Sequence, residues 1–233
     1  MIGLVGPDST VDELATAAAG IEIRRGSPDA VVRGDPEVVV AVGERAVIDL
    51  ITAGFRAPIL PVDAGSGLGS VDPAVAKAGM DRLERGDFLT RDHPVMGVRL
   101  GEEHAGLAVF DAMLVTREPA RISEYSVSAD GPIDRFRADG VVVSTPAGSH
   151  GYSNTAGGPI LGTRTEAVSV VPIAAFTTRT DTWVLDPPVR IGIERDEGEI
   201  TLLLDDREQR PVPNDRPVSI SVDAAFETIQ FDG

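Results

Sequence analysis

Hydrophobic and polar positions follow two different textures along the chain, and the change comes near residue 95. Residues 1–5 read as a short apolar strand ending in the turn residues Gly6-Pro7-Asp8-Ser9. Residues 10–19 are alanine-rich with Asp12 and Glu13 near the start, which suits the positive end of a helix, and Gly20 is a natural stop. Residues 37–42 form a β-branched run with no internal turn signal, as a strand buried on both faces of a parallel sheet requires. Residues 46–53, closed by Gly54, predict a second helix, residues 58–62 the next strand, and residues 73–83 one more helix running into a polar link over 84–92. Such a strand, helix, strand series predicts an open sheet whose ligands sit beyond the carboxyl ends of its strands. The loops after Val42 and Val62 are the places to look.

Beyond residue 95 the pattern becomes short β-rich segments: 95–100, 108–116, 123–128, 140–144, 167–172, 182–185, 189–194, 200–204 and 218–222. Turn residues such as Asp130-Gly131-Pro132 and Asp186-Pro187-Pro188 separate them. The expectation is an α+β chain of two domains. Residues 1–92 make an α/β domain with a mostly parallel sheet, residues 93–220 a β-rich domain, and residues 221–233 a C-terminal strand or tail returning to the first. No repeat of 20–50 residues and no low-complexity tract interrupts this reading.

Composition narrows the function classes. The 233 residues carry 37 Asp and Glu against 21 Lys and Arg, a formal net charge of -16, which excludes a nucleic-acid binder held by phosphate contacts. A hydrophobic share of 42% supports a core and argues against disorder. The absence of cysteine removes disulfides, thiolate zinc sites and cysteine nucleophiles together. Apolar runs are strand-sized and the N-terminus lacks a basic region and a cleavage site, so a soluble cytoplasmic protein without membrane contact is expected. Lys77 is the single lysine, so 20 of the 21 basic residues are arginines. An acidic surface nearly free of lysine suits a salt-adapted organism, because salt screens the mutual repulsion of carboxylates.

The densest signal lies over residues 139–160, Asp139-Gly140-Val141-Val142-Val143-Ser144-Thr145-Pro146-Ala147-Gly148-Ser149-His150-Gly151-Tyr152-Ser153-Asn154-Thr155-Ala156-Gly157-Gly158-Pro159-Ile160. A buried strand runs into small residues and hydroxyls, then an aromatic, then Gly-Gly-Pro. Glycines let backbone N–H groups approach a ligand, hydroxyls can bond phosphate or ribose oxygens, and Tyr152 offers a flat face to a base. Composition alone leaves two readings open, a nucleotide-binding loop and an ordinary tight loop of a β domain.

This segment resembles the Asp-Gly…Ser-Thr-Pro-Thr-Gly-Ser-Thr-Ala-Tyr-Ser…Ala-Gly-Gly-Pro signature of the NAD kinase family. Further likeness follows in Ala167-Val168-Ser169-Val170-Val171-Pro172-Ile173 (family strand ending Thr-Pro-Ile) and in Phe110-Asp111-Ala112-Met113-Leu114-Val115 (family Leu-Asn-Glu-Val). It continues in Pro58-Ile59-Leu60-Pro61-Val62-Asp63-Ala64-Gly65-Ser66-Gly67-Leu68-Gly69, beside the family's Pro-Ile-Leu-Gly-Ile-Asn-x-Gly-x-Leu-Gly with one residue more. The resemblance implies an α/β domain followed by a β domain, an active site between them, and a homo-oligomer in which more than one subunit contributes. It implies transfer of the terminal phosphoryl group of ATP, or of polyphosphate, to the adenosine 2′-hydroxyl of NAD. Mg²⁺ or another divalent cation neutralises phosphate charge and a carboxylate accepts the hydroxyl proton. Matching positions assign Gly43, Asp63, Asp111, Asp139, Thr145, Ser149, His150 and Tyr152 to the nucleotides and Glu44 to the base, with no resident metal ligand assigned.

The departures matter as much. The family's Gly-Gly-Asp-Gly loop reads Val42-Gly43-Glu44-Arg45, which keeps one glycine and lengthens the acid by a methylene. Arg45 either supplies charge to phosphate or pairs with Glu44. Asp111 replaces an asparagine and Ala112 an acid, so an amide that donates and accepts becomes an acceptor only. His150, where threonine is usual, is either a ligand contact or a surface loop histidine, and Asp205-Asp206 reads as a solvated turn. Three functions remain: an NAD kinase with an altered phosphate loop, a non-catalytic NAD(P)-binding or regulatory relative, and a kinase for another nucleotide-like small molecule.

Overall fold

The computed structural model describes residues 1–118, 122–177 and 181–231. They divide into two compact units, one of residues 1–93 with the stretch from Phe226 onward, the other of residues 94–225. Residues 232–233 of the expected C-terminal tail lie outside the described residues.

In the first unit the elements run β1 (Ile2–Val5), α1 (Asp8–Ala17), β2 (Ile23–Arg25), α2 (Pro28–Val32), β3 (Val38–Val42), α3 (Glu44–Thr52), β4 (Ile59–Val62), α4 (Pro73–Ala78) and α5 (Met80–Arg85). The strands pair in parallel in the order β2-β1-β3-β4, and the last strand, β16 (Val218–Gln230), joins β4 by pairing Thr228 with Ile59. All five residues of β3 are buried, as its unbroken β-branched run predicts. Leu14 of α1, Leu60 of β4, Met80 and Leu83 of α5 and Ile229 of β16 share one core cluster with Leu4 and Val40. The helix expected over 73–83 is two helices meeting at Gly79, where a Cβ would run into the Phe231 ring. Strand β2 and helix α2 escaped the hydrophobic pattern because β2 is an edge strand of three residues and mostly exposed.

The second unit begins within β5 (Leu89–Leu100) and continues through β6 (Glu103–Ala108), β7 (Asp111–Thr116), β8 (Ser123–Ser128), β9 (Pro132–Ala138), β10 (Gly140–Ser144), α6 (Tyr152–Thr155), β11 (Val168–Ile173), β12 (Trp183–Leu185), β13 (Val189–Arg195), β14 (Ile200–Leu204) and β15 (Arg207–Pro211). One array has the order β12-β11-β10-β7-β14-β15; in the other, β16 pairs β13, β13 pairs β8 and β8 pairs β9, with β5 against β16 and β6. Both arrays are antiparallel where they pair within this unit, and alternate residues such as Val98, Tyr125, Val127, Val141, Val143, Val170, Ile191 and Leu202 fill a single core. The segment expected as one strand over 108–116 is β6 and β7, because the chain turns a corner at Val109-Phe110. Among the described residues no helix is long and apolar enough to cross a membrane.

Candidate functional site

In the first unit the chain leaves β1 for β2 on one side and returns to β3 on the other, so the carboxyl ends of β1 and β3 diverge. Open parallel sheets take ligands at such a point. A cleft of about 930 Å³ opens there, lined by Gly6-Pro7-Asp8 after β1, Arg25-Gly26-Ser27 after β2 and Gly43-Glu44-Arg45 after β3. The first and third loops approach closely only because Gly6 has no side chain: a Cβ on it would lie 2.6 Å from Val42 Cβ. Gly43, at φ 86°, donates its N–H to Val62 O (2.8 Å) and accepts at its carbonyl from Ala46 N–H (3.1 Å), which opens α3. Helices α1 and α3 therefore both begin at the cleft, where unpaired backbone N–H groups favour an anion.

Glu44 is exposed, and its Oε1 lies 2.6 Å from the point where a side chain on Gly65 would begin. The loops after Val42 and Val62, singled out by the strand pattern, thus meet at Glu44 and Gly65. The second of these loops is shaped by backbone: Asp63 sits exposed at φ 47°, its N–H donating to Val71 O (3.1 Å), and Ala64 N–H donates to Ser70 Oγ (2.8 Å). Arg45 pairs with Asp49 one turn along α3 (Nε to Oδ2, 3.1 Å), and Arg25 with Asp12. Four carboxylates and two guanidiniums line the cleft: Asp8, Asp12, Glu44 and Asp49 against Arg25 and Arg45. Exposed ion pairs of this kind contribute only about 0–1 kcal/mol, so a phosphate can take over either arginine at small cost.

In the second unit the signature segment is a closed scaffold. Strand β10 pairs with β7 so that Ser144 stands opposite Asp111, and a Cβ on Gly140 would collide with Leu114 O. Thr145 donates its N–H to Phe110 O (2.9 Å) and its hydroxyl to Val109 O (2.8 Å), and accepts from Gly148 N–H (3.1 Å). Ser149 Oγ donates to Pro146 O (2.7 Å) and accepts from Leu161 N–H (2.9 Å). Ser169 Oγ lies 2.6 Å from Ser144 Oγ and 3.1 Å from Ser153 Oγ, and all of these hydroxyls are buried. The hydroxyls of Thr145 and Ser149, two of the residues expected at the ligand, shape the loop. His150 is half-buried at the end of the turn Gly148–His150, and Tyr152 is 44% exposed at the start of α6. Asp111 is buried as the first residue of β7, and Asp139 is half-buried at the far end of β10 from Thr145.

One expectation is overturned. Asp205 and Asp206 do form a two-residue turn between β14 and β15, at φ 49° and 62°, but only Asp206 is solvated. The Asp205 carboxylate is buried and accepts N–H groups from Val109 (2.8 Å), Phe110 (2.7 Å) and Asp111 (3.1 Å). Burial pushes its carboxyl upward in pKa, against the lowering effect of those three N–H groups and of Arg207. A hairpin turn and a buried acceptor have the same one-letter code, and only the partner strand distinguishes them. The cleft loops after β1 and β2 were also passed over, although each carries the marks of a helix start after a strand: Gly6-Pro7 before α1, and Gly26-Ser27-Pro28 before α2, with Ser27 Oγ accepting from Ala30 N–H (3.4 Å).

Comparison with known proteins adds a family and two solved structures of the same fold. A family profile described as the ATP-NAD kinase C-terminal domain matches residues 111–229. The NAD kinase of Methanopyrus kandleri is 31% identical over 169 residues, 70% of this chain and 61% of that protein. The NAD kinase of Methanosarcina barkeri is 29% identical over 216 residues, 89% of this chain and 78% of that protein. The chain spans about three fifths of the length of the first curated relatives it matches. Two solved structures share the fold: an NAD kinase from Archaeoglobus fulgidus in complex with ATP (TM-score 0.79, 21% identity, 99% of this chain and 92% of that one) and yeast NADH kinase complexed with NADH (0.80, 15%, 99% and 83%).

Proposed function

Since the chain belongs to the NAD kinase family, we propose that it transfers the terminal phosphoryl group of ATP to the adenosine 2′-hydroxyl of NAD, with Glu44 as the base. The observation that carries this reading is the placement of the Glu44 carboxylate, against Gly65 at the rim of a cleft built where β1 and β3 diverge. The start of α3, Gly43 and the two cleft arginines receive phosphate oxygens there. The acceptor oxygen attacks the γ-phosphorus, the bond from that phosphorus to the bridging oxygen breaks, ADP leaves, and Glu44 takes the hydroxyl proton. Asp63, Asp111, His150 and Tyr152 contact the nucleotides directly, while Thr145 and Ser149 hold the loop that presents them.

The residues present fit a divalent cation of the Mg²⁺ kind. The described residues hold no cluster of three or more His, Asp or Glu, yet Mg²⁺ usually binds through one or two carboxylates together with substrate phosphates. Asp8 and Glu44 supply such oxygens in the cleft. The ion would neutralise phosphate charge, which a cleft with more carboxylates than guanidiniums needs.

A homo-oligomer fits the placement of Asp139, which lies five residues from Ser144 along β10, about 17 Å. A second copy then supplies the aspartate that the loop of the first cannot reach. High ionic strength suits the net charge of -16 by screening repulsion between protein and nucleotide.

The test is direct. With NAD, ATP and Mg²⁺ at high salt, the protein should form NADP, and Glu44→Ala should lower kcat by about 100-fold or more. Binding of NAD without NADP beyond the Glu44→Ala background sinks the kinase reading in favour of a binding module. The altered loop gives that alternative its footing, since Val42 and Arg45 carry side chains where the family has glycine. Failure to bind NAD at all points to another nucleotide-like substrate.

A further inference from the structure

The corner between β6 and β7 is held from both sides. Its three consecutive N–H groups, at Val109, Phe110 and Asp111, all point to the Asp205 carboxylate, and Asp205 N–H returns a bond to Asp111 O (3.0 Å). Its carbonyls face the signature loop, with Val109 O taking the Thr145 hydroxyl and Phe110 O the Thr145 N–H. Gly148 packs on the same carbonyl so closely that a Cβ would overlap Phe110 O. Nothing apolar could replace the carboxylate, because three buried N–H groups would then lose their acceptor.

We propose that Asp205 is a positioning residue for the acceptor site: through the 109–111 corner it fixes both Asp111 and the loop 145–152 that carries His150 and Tyr152. It touches neither substrate nor phosphate. A carboxylate suits the role because it accepts only, offering two oxygens to three donors, whereas an asparagine would turn an NH₂ group toward one of the N–H groups. The carboxylate comes from β14–β15, a hairpin more than fifty residues further along the chain, so loop geometry depends on that hairpin closing correctly.

For NAD, the inference rests on the proposed function; for loop geometry it does not, and the experiment separates the two. In the full-length protein, Asp205→Asn should speed amide hydrogen exchange across 145–152 by about tenfold, the loss of one charge-assisted hydrogen bond, while β8 and β9 amides of the same unit stay protected. In the enzyme assay it should raise KM for NAD by about tenfold and leave KM for ATP within about twofold of the wild type, since the donor loops belong to the other unit. Leu202→Ala, a buried cavity in β14, is the control for plain destabilisation: it should lower Tm yet leave the KM ratio of the two substrates unchanged.

If Asp205→Asn fails to fold, Thr145→Val reads the same corner from its carbonyl side and should give the same local pattern. Exchange that rises evenly over the whole unit, or not at all in 145–152, overturns the positioning role. A wild type that does not use NAD overturns the proposed function instead, and exchange alone then decides whether Asp205 sets the loop.

Discussion

The two loops that would have to serve phosphoryl transfer are built on opposite plans. In the second unit, residues 145–149 are held by side chains that turn inward: Thr145 donates to Val109 O and accepts from Gly148 N–H, Ser149 donates to Pro146 O and accepts from Leu161 N–H, and Gly148 sits where no side chain fits. In the first unit, residues 43–45 are fixed by backbone bonds at Gly43, and Glu44 and Arg45 are exposed at the cleft. A loop of the first kind constrains nearly every residue type within it. A loop of the second kind constrains only its backbone, so its side chains can change without loss of the fold.

The largest test of that contrast compares two glycines. Gly148→Ala drives a Cβ into backbone oxygen and should cost the second unit about 3 kcal/mol, seen as a lower urea midpoint for Trp183 fluorescence. Gly43→Ala meets no atom of the described residues within 4 Å and suffers only backbone strain, at φ 86° and ψ 152° in a region nearly confined to glycine, a cost of about 2 kcal/mol. Equal losses would mean that the two loops are not held differently after all.

A comparable difference separates the buried titratable groups. His93 of the first unit is fully buried and stacked on Phe226 (5.4 Å between ring centres); Nε2 meets Thr228 Oγ1 (2.9 Å), and Nδ1 has no hydrogen-bond partner among the described residues. Burial, with a further push from Arg91 and a small opposing pull from Asp92, lowers its pKa from 6.5 to about 4. The unfolded chain therefore takes up a proton below about pH 6.5 while the folded one does not until near pH 4. Stability from this group is complete above pH 6.5 and falls as pH drops, by about 3 kcal/mol in all. Asp205 has the opposite sign: its raised pKa stabilises the folded state at low pH, and that contribution is lost as pH rises. Acid should thus loosen the first unit before the second, measured as exchange of β1 and β3 amides against those of β8 and β13. The same acid sensitivity in His93→Phe would remove His93 as its cause.

What could be read from sequence follows the same division. Segment 139–160 was legible because its small residues are fixed one by one by contacts: Gly140 under Leu114 O, Gly148 under Phe110 O, Ser153 on Ser169. The expected strands 123–128, 140–144 and 200–204 match β8, β10 and β14 for a related reason, since their inward positions are buried hydrophobics. The cleft loops after β1 and β2 were missed because backbone and helix starts, not side chains, define them. Asp205 was misread because its partners lie some ninety-five residues earlier in the chain. The inward bonds of Thr145 and Ser149 were not legible, because a hydroxyl next to glycines fits a ligand and a loop equally well.

A smaller effect sharpens the reading of Glu44. Gly65→Ala strains a backbone at φ 79° and places a methyl group 2.6 Å from Glu44 Oε1, so loop and carboxylate together shift by about 1 Å, enough to lower kcat by as much as about 100-fold. Shortening the acid relieves that contact. Glu44→Asp in the Gly65→Ala background should therefore recover part of the lost kcat, although Glu44→Asp alone lowers it. Strictly additive losses would show that Gly65 does not set the position of the carboxylate.

The smallest effect concerns the turn that delivers Asp205. Two-residue hairpin turns with both central residues at positive φ favour glycine at the second position, and Asp206 at φ 62° accepts strain that glycine would not. Asp206 is exposed and Asp205 keeps its three N–H groups whatever follows it. Asp206→Gly should gain about 0.5 kcal/mol after the entropy glycine restores to the unfolded chain, a rise of roughly 1–2 °C in Tm. Because the turn anchors the 109–111 corner, exchange over 145–152 should slow slightly in this variant and exchange over 43–46 should not change. A Tm that falls instead would mean the Asp206 side chain holds a contact worth more than the strain, and the hairpin, not Asp205 alone, would then be the element that fixes the acceptor loop.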